Sequence, residues 1–252
     1  MILELQKTII YGPVFSRRLG SSLGLNILPA GEKVCPFNCV YCQYGWTNYK
    51  EDESLQRIFM PSVKDVEKSL KRVLRNQASP PRYLTFSGNG EASVHPDFGK
   101  MVDSVTRIRD RFIPDTKTAV LSNSCLAGKP EVRQALLKLD VRIMKLDCGL
   151  EEVFQRFNQP VSGINLDGIT HALKTFPGIC IQTLIAGGPI GNSQPENISA
   201  WLERLEKIKP AAVQIYTLDR GCPDDRVEPV SKNHLLSIRD KVRERGIKAE
   251  IY

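Results

Sequence analysis

Short apolar runs alternate with longer amphipathic segments along most of the chain. Each run is nearly continuous in apolar residues, which is typical of strands in a parallel sheet whose two faces are both covered. The pattern predicts six such strands, at residues 23–28, 83–87, 118–122, 141–146, 179–186 and 212–216.

The segments between these runs repeat apolar residues every three or four positions, as the buried face of a helix does. Ser62 and Asp65 have the spacing of a helix-capping pair. Pro130 and Pro195 suit a first helical turn, where proline removes no intrahelical bond, and Gly246 suits a helix end. The pattern predicts helices that begin near Pro61, Asp97, Pro130, Leu166, Pro195 and Ser231.

Six strand-then-helix units in series predict a parallel sheet with its helices outside. Since a complete barrel needs eight units, we expect an α/β fold of the open, partial (βα)6 TIM-like type. A flat, doubly wound sheet is the alternative, and both folds gather ligands at the carboxyl ends of their strands. No low-complexity linker divides the chain, so we expect one domain over residues 1–252, with an extension over about 1–20 and the barrel over about 21–252.

The charge balance is basic, because 35 Lys and Arg residues outnumber 28 Asp and Glu residues and give a formal net charge of +7. This balance fits an anionic partner such as RNA or a nucleotide, and it fits a basic, solvated surface equally well. The basic residues are spread over several helices without an aromatic-rich RNA-binding module. Charge alone therefore leaves the partner open.

Cysteine usage indicates metal ligands or reactive thiols. The chain has seven cysteines, an odd number that disulfides alone would not use. No apolar run reaches eighteen residues and no signal-peptide pattern occurs, so we expect a cytoplasmic protein with no membrane partner. In that reducing compartment disulfides are rare.

Three cysteines lie within eight positions, at Cys35, Cys39 and Cys42, with Tyr41 beside the last. Three thiolates suit a soft metal or an iron–sulfur cluster. A structural zinc site takes a fourth ligand nearby, but the sequence has no second C-x-x-C pair. The histidines are scattered, at His95, His171 and His234. The triplet therefore favours a site with one open coordination position, as a catalytic metal centre requires.

A C-x-x-x-C-x-x-C triplet with an aromatic residue before its last cysteine, following a first strand, resembles the radical S-adenosylmethionine (SAM) superfamily. That resemblance implies a [4Fe-4S] cluster on the three thiolates, with SAM bound at the fourth iron. It also implies reductive cleavage of SAM to a 5′-deoxyadenosyl radical, which abstracts hydrogen from a substrate. The implied fold is a partial (βα)6 barrel, and the implied partner is an electron donor such as flavodoxin or ferredoxin.

The segment SGNGE, which follows the second predicted strand, resembles the family's G-G-E segment that holds the amino group of SAM. Its glycines permit close backbone approach, and its carbonyls can accept bonds from an ammonium group. Asn89 stands where the family pattern has its second glycine. The resemblance makes Gly88, Asn89, Gly90 and Glu91 candidate cofactor contacts.

The other strand ends supply further candidate contacts to the same mouth. The hydroxyl of Ser122 and the amide of Asn123 follow the third strand, where they suit the ribose hydroxyls of SAM or form an Asx-type turn. A Lys–Asp pair follows the fourth strand, where it suits a polar ligand or a structural ion pair. The segment 187–191 resembles, weakly, the family's adenine-side segment. The remaining candidate cofactor contacts are Tyr41, Ser122, Asn123, Lys145, Asp147, Ile215 and Tyr216.

Residues 11–29, together with the segments KVCPFNCVYCQYG, FSGNGE, LSNS, KLD and TLDR, are similar to a group related to wyosine-type, tRNA base-modifying radical SAM proteins. Wyosine synthases have further cysteines upstream for a second cluster, whereas this chain has none before Cys35. The substrate candidates are an RNA base, a small anionic metabolite, and a protein backbone as for glycyl-radical activases. Arg17 and Arg18 are candidates to contact an anionic substrate or to neutralise the surroundings of the cluster.

Three further cysteines follow predicted strands on the same face, at Cys125, Cys148 and Cys222. They are candidates for an auxiliary cluster or for a thiol that donates hydrogen or binds substrate, and inert buried thiols are the alternative. Cys180 lies within a strand and is interpreted as a small buried hydrophobe. Asp219 and Arg220 are candidate substrate contacts. The candidate catalytic residues are Cys222, Cys148 and Arg220.

Two alternatives to a radical SAM enzyme acting on a small molecule or an RNA base remain. One is a protein like the activases of glycyl-radical enzymes, against which the sequence YGPVFSRRLG argues. The other is a non-enzymatic iron–sulfur or zinc-binding module, which would leave the GNGE and SN segments without a role.

Overall fold

The computed structural model describes residues 2–47 and 59–252. Its strands in these ranges are β1 (Ile10–Ser16), β2 (Gly20–Leu25), β3 (Tyr83–Phe86), β4 (Lys117–Ser122), β5 (Val141–Lys145), β6 (Cys180–Leu184), β7 (Ala186–Gly187), β8 (Ala212–Tyr216), β9 (Glu228–Pro229) and β10 (Ala249–Ile251). The helices are α1 (Val63–Arg75), α2 (Phe98–Phe112), α3 (Pro130–Leu137), α4 (Glu151–Phe157), α5 (Leu166–Lys174), α6 (Pro195–Ile208) and α7 (Lys232–Arg243), with a 3-10 turn at Ala92–Val94. None of these helices is long and apolar enough to cross a membrane.

Eight of the strands form one sheet in the order β1-β2-β3-β4-β5-β6-β8-β10. β1 pairs antiparallel with β2, and every later pair in this order is parallel. The strand order follows chain order throughout, without the reversal that divides a doubly wound sheet. The predicted partial barrel is therefore confirmed, and the doubly wound alternative is wrong.

The outer face of the sheet packs against the helices and forms the hydrophobic core. Phe86 of β3 and Phe98 of α2 meet edge to face, with ring centroids 5.8 Å apart. Met144 of β5 and Ile181 of β6 are completely buried in the same core. Burying such side chains contributes about 25 cal/mol per Å² of apolar surface, which is why these strands carry so many apolar residues.

The inner face of the sheet carries polar side chains beside a few aliphatic ones, such as Leu121 and Ile143. Successive side chains alternate across a strand, so the strand register identifies which residues share this face. Leu121 of the central strand β4 lies on it and is 37% exposed, so the space in front of the sheet is not filled. A complete barrel fills its interior with branched side chains. We call this space the inner chamber, and the residues of the inner face include Ser22, Thr85, Leu121, Lys145, Gln182, Gln214 and Tyr216.

Four of the described strands and helices are not predicted by the apolar pattern: β1, β9, β10 and α4. β1 is an edge strand in which Val14 and Phe15 are 45% and 80% exposed, so it lacks the signature of a buried strand. α4 has seven residues, too few to repeat a helical stripe. The predicted strand at 179–186 is divided into β6, which pairs with β8, and β7, which pairs antiparallel with β9 in a separate two-stranded sheet.

The helix starts agree with the predicted caps. Ser62 Oγ accepts the N–H of Asp65 at 3.2 Å, and Asp65 Oδ2 accepts the N–H of Ser62 at 2.9 Å, which completes a capping box. Ser231 Oγ caps α7. Asp97 precedes α2 as predicted but makes no side-chain cap bond. The strand predicted at 23–28 is β2, which begins and ends three residues earlier.

Candidate functional site

The cysteine loop, residues 26–47 after β2, is attached on one side to the segment that follows β3. Val34 donates its N–H to the carbonyl of Asn89 at 2.9 Å and accepts the N–H of Glu91 at 3.0 Å. Gly90 lies so close to this contact that a Cβ would stand 1.8 Å from the carbonyl oxygen of Val34, and its φ is +132°. Only glycine fits there, so the GNGE segment and the cysteine loop are held together by backbone contact.

The other side of the cysteine loop is attached to the end of α4. The N–H of Asn38 donates to the carbonyl of Asn158 at 3.0 Å, and the N–H of Val40 donates to the carbonyl of Phe157 at 3.0 Å. Rings of the two segments also pack, since Tyr41 and Phe157 have centroids 4.9 Å apart. The loop is therefore fixed between two neighbouring barrel loops.

The three thiols of the triplet lie at the mouth of the barrel and are partly buried. Cys39 and Cys42 share a tight turn in which the N–H of Cys42 donates to the carbonyl of Cys39 at 3.1 Å. The amide of Asn158 donates to the sulfur of Cys39 at 3.3 Å, and that of Asn123 to the sulfur of Cys35 at 3.5 Å. Two protein amides are thus already oriented toward the sulfur atoms.

Burial and mutual repulsion oppose ionisation of these thiols. Burial, and then the negative charge of a neighbouring thiolate, raises the pKa of Cys35 above its usual value and that of Cys39 to about 11. Iron would supply the positive charge that stabilises such thiolates, and hydrogen bonds to sulfur are a usual feature of iron–sulfur sites. In residues 2–47 and 59–252 no group of three or more His, Cys, Asp and Glu side chains is arranged to hold a single metal ion. In an iron–sulfur cluster each thiolate binds a different iron, so the three sulfur atoms need not converge on one point. The three cysteines therefore fit such a cluster by their residue type and by their position at the mouth of the barrel.

Glu91 is completely buried and joins the GNGE segment to the loop after β4. Its carboxylate accepts bonds from Ser93 N (3.1 Å), Ser93 Oγ (2.6 Å), Ser122 Oγ (3.0 Å) and Asn123 N (2.5 Å). Burial nevertheless raises the pKa of Glu91. A carboxylate has room for about four donors, so Glu91 is placed to position Ser122 and Asn123. Its direct contact with SAM stays a prediction, as do those of Ser122 and Asn123.

Asn89 faces the N-terminal segment. Its side-chain amide donates to the carbonyls of Gln6 (2.9 Å) and Pro29 (2.8 Å), and its Oδ1 accepts the N–H of Gln6 at 2.7 Å. The departure from glycine at this position therefore has a structural reason. Beside it, the carbonyl of Gly88 accepts the N–H of Gly90 at 2.8 Å.

A buried polar network lies at the mouth beside the cysteine loop. Lys145 Nζ is 3.2 Å from Asp147 Oδ1 and donates to the hydroxyl of Tyr216 at 3.0 Å. The hydroxyl of Tyr41 donates to Asp147 Oδ2, and Asn158 Nδ2 donates to the same oxygen at 2.9 Å. Burial by itself lowers the pKa of Lys145, but attraction to Asp147 and the bond to Tyr216 raise it overall. The result is a fixed ammonium group at the mouth, so these predicted residues come together.

The backbone carbonyls at the end of β8 accept hydrogen bonds from other parts of the protein. The carbonyl of Ile215 accepts the N–H of Tyr252 at 3.0 Å, and that of Tyr216 accepts the N–H of Ile185. The side chain of Ile215 belongs to the outer core. A backbone contact from Ile215 to adenine stays a prediction.

Cys125 and Cys148 adjoin the triplet. The thiolates of Cys35 and Cys39, respectively, are close enough to raise their pKa, although burial is the larger cause in each case. Cys148 is completely buried and its thiol donates to Asn158 Oδ1 at 3.5 Å. Neither thiol is therefore activated as a nucleophile.

Cys222 and Arg220 lie at the rim of the mouth. The thiol of Cys222 donates to the carbonyl of Asp224 at 3.2 Å, and the N–H of Asp224 donates to the carbonyl of Val40 in the cysteine loop at 3.3 Å. Arg220 Nη1 donates to Gln43 Oε1, also in the cysteine loop, at 3.1 Å. The catalytic roles predicted for Cys222, Cys148 and Arg220 stay predictions.

Asn158 is a residue of the site that the sequence did not predict. Its side-chain amide bonds to the sulfur of Cys39 and the carboxylate of Asp147. It lies directly after α4, the helix that the apolar pattern did not reveal. The pair Phe154 and Phe157 just before it, both buried, was the available signal that this segment packs inward.

Comparison with known proteins agrees with this geometry. The model of the Radical SAM superfamily matches residues 33–202. The chain is 32% identical over 216 residues to a UPF0026 protein of Helicobacter pylori strain J99, covering 84% of this chain and 67% of that protein. Among solved structures, TYW1 with a lysine-pyruvate adduct bound has a TM-score of 0.61 at 15% identity, covering 88% of this chain and 73% of that chain. Streptococcus suis SuiB bound to S-adenosylmethionine has a TM-score of 0.64 at 13% identity, covering 88% and 48%.

Proposed function

The chain belongs to the radical SAM superfamily, and on that premise we propose that it holds its cluster on Cys35, Cys39 and Cys42 and acts on a substrate in the inner chamber. It is an enzyme of the class that uses a [4Fe-4S] cluster and SAM. When bound, this pair supplies a 5′-deoxyadenosyl radical that abstracts hydrogen from the substrate. Superfamily membership favours an enzyme over the non-enzymatic module that the sequence left open.

The observation that carries the site assignment is the position of the triplet. The cysteine loop is fixed between the GNGE segment and the end of α4, and the thiol of Cys39 interacts electrostatically with the fixed ammonium group of Lys145. Thiols, glycine segment and cation therefore meet at the carboxyl ends of the parallel strands, where barrels bind their ligands.

The protein's own groups have separable tasks. Asn123 and Asn158 orient the sulfur atoms of Cys35 and Cys39 through their side-chain amides. Lys145, held by Asp147, offers a cation to the carboxylate of SAM. Binding and orientation are the parts of such chemistry that the protein supplies.

The substrate candidates are an RNA base, a small anionic metabolite and, less favoured, a peptide backbone as for glycyl-radical activases. The similarity of residues 11–29 to the wyosine-type group and the net charge of +7 support the first two. A small electron-transfer protein such as flavodoxin or ferredoxin would deliver the electron.

The test is anaerobic reconstitution with iron and sulfide, followed by dithionite and SAM, with 5′-deoxyadenosine measured by chromatography. We expect product from the wild type and about four iron atoms per chain, whereas about eight would indicate a second cluster near Cys125 or Cys148. Cys39→Ser should abolish the product, and the matched variant Cys180→Ser, on the strand β6, should retain it. Absence of product from the wild type, or equal product from Cys39→Ser, would refute the proposal.

A further inference from the structure

The turn between β1 and β2 carries two arginines in different environments. Arg17 is exposed and forms an ion pair with Asp219, with Nη2 and Oδ2 2.7 Å apart. Arg18 instead reaches over the inner face of the sheet, where its guanidinium carbon lies 4.3 Å from the ring centroid of Tyr216 and 5.3 Å from that of Tyr252. The second arginine is therefore a chamber residue and the first is a surface residue.

Arg18 is a partly buried cation without an oxyanion partner among the described residues. Within residues 2–47 and 59–252 no carboxylate forms an ion pair with it, and its buried Nε has no hydrogen-bond partner. Asp219 attracts it from a distance but is already bonded to Arg17. Burial lowers the pKa of Arg18, which shows that desolvation of the guanidinium is not fully offset. Arginine stays protonated even so, and an unpaired buried donor is costly.

The contacts of Arg18 with the two tyrosine rings leave the N–H donors of its guanidinium group available. Aromatic rings attract a guanidinium group through its faces, whereas its N–H donors lie in its plane. Those donors form a fork that matches the two oxygens of a carboxylate or a phosphate. Contacts with Tyr216 and Tyr252 therefore orient the group without using its donors.

Arg18 and the catalytic mouth are linked through Tyr216. Lys145 Nζ bonds to the hydroxyl of Tyr216 and lies 5.1 Å from the ring centroid that Arg18 also approaches. Around this ring the inner face offers amide groups, since Gln182 Nε2 donates to Gln214 Oε1 at 3.1 Å. A ligand held by Arg18 would therefore lie beside Tyr216, whose hydroxyl bonds to Lys145 at the mouth.

We propose that Arg18 binds the carboxylate or phosphate group of a small-molecule substrate inside the chamber and so directs the rest of that molecule toward the mouth. That this ligand is a substrate rests on the proposed function, but its binding requires neither a reductant nor SAM. A small molecule is favoured over RNA because Arg18 is partly buried against Tyr216 and Tyr252, whereas RNA phosphates would meet the exposed basic residues. The shared chemistry of the ligand is a bidentate oxyanion.

The test measures binding of 4-fluorobenzoate to reconstituted protein by ¹⁹F NMR line broadening, without reductant, with 4-fluorobenzyl alcohol as the neutral control. We expect saturable binding of the anion only. Arg18→Gln should bind it at least about tenfold more weakly, and Arg17→Gln, which removes the same charge one residue away, should bind it like the wild type. Arg18→Lys, which keeps the charge but lacks the fork, should bind with intermediate affinity.

The source of the oxyanion is tested with inorganic phosphate as a competitor. Displacement of the probe supports a phosphate-bearing ligand, and failure to displace it supports a carboxylate.

Circular dichroism melting shows whether Arg18→Gln folds. If Arg18→Gln does not fold, the comparison of Arg18→Lys with the wild type carries the test. Binding by Arg18→Lys equal to the wild type, or equal losses in Arg17→Gln and Arg18→Gln, would overturn the proposal. Displacement of the probe by a transfer RNA, with steep salt dependence, would overturn it in favour of RNA. Absence of 5′-deoxyadenosine with dithionite would defeat the proposed function and leave the oxyanion site standing.

Discussion

Replacing Asn89 by glycine restores the glycine of the family pattern and should release the N-terminal segment from the mouth. The change removes three side-chain hydrogen bonds, two to the carbonyls of Gln6 and Pro29 and one from the N–H of Gln6. Both Asn89 and Pro29 are buried, so the carbonyl of Pro29 loses its partner without gaining water. Gln6 is only partly buried and regains water when its segment detaches.

The magnitude follows from these two environments. A buried acceptor that loses its donor costs ~1–3 kcal/mol, and each of the two bonds to Gln6 contributes ~0.5–1 kcal/mol net once the segment can reach water. The expected loss in the free energy of unfolding is therefore about 3 kcal/mol.

The assay pairs urea unfolding with hydrogen exchange at the amide of Gln6. Asn76→Gly is the matched control, because Asn76 is exposed and its side chain makes one bond, to the carbonyl of Arg72 at 3.1 Å; its expected change is below about 0.5 kcal/mol. Asn89→Gly should also accelerate exchange at Gln6. Unchanged exchange there, or a loss of stability no larger than in the control, would refute the assignment of Asn89 as the anchor of this segment.

Two further predictions concern buried ionisable groups. His95 is neutral in the fold, with Nδ1 accepting the N–H of Asp97 at 3.0 Å and Nε2 bonding to the carbonyl of Pro61 at 3.0 Å. Burial lowers its pKa below 6.5, so the unfolded chain binds the proton first, and stability should be lost as pH falls below about 6.5. His95→Gln should reduce the dependence of the free energy of unfolding on pH below about 6.5, measured by urea titrations at several pH values. The same pH dependence in His95→Gln and the wild type would contradict this prediction. Asp147→Asn should destabilise the protein by about 3 kcal/mol, because it leaves the ammonium of Lys145 buried without a carboxylate. The double variant Lys145→Met, Asp147→Asn removes the unpaired ammonium group and keeps an amide oxygen for the other donors, so it should recover most of that loss. A double variant as unstable as Asp147→Asn would contradict the assignment of the loss to the buried ammonium group.

The sequence by itself determined the barrel strands and the cysteine triplet that we propose as the cluster site. Strands covered by helices on one face and lying in the middle of a sheet need apolar residues, so the six predicted runs correspond to β2, β3, β4, β5, β6 and β8. The triplet Cys35, Cys39 and Cys42 could also be recognised, because cysteines contributed by one loop have fixed local spacing.

Only the tertiary structure decided which polar residues serve the fold and which face the chamber. Asn89 and Asn158 act through partners 83 and 119 positions away, at Gln6 and Cys39, and no local spacing encodes such contacts. Arg17 and Arg18 are adjacent and chemically identical, yet one pairs with an acid at the surface and the other is partly buried against two tyrosine rings. A side chain's direction and its distant neighbours set its burial and its pairing, and both are fixed only when the sheet curls into its barrel.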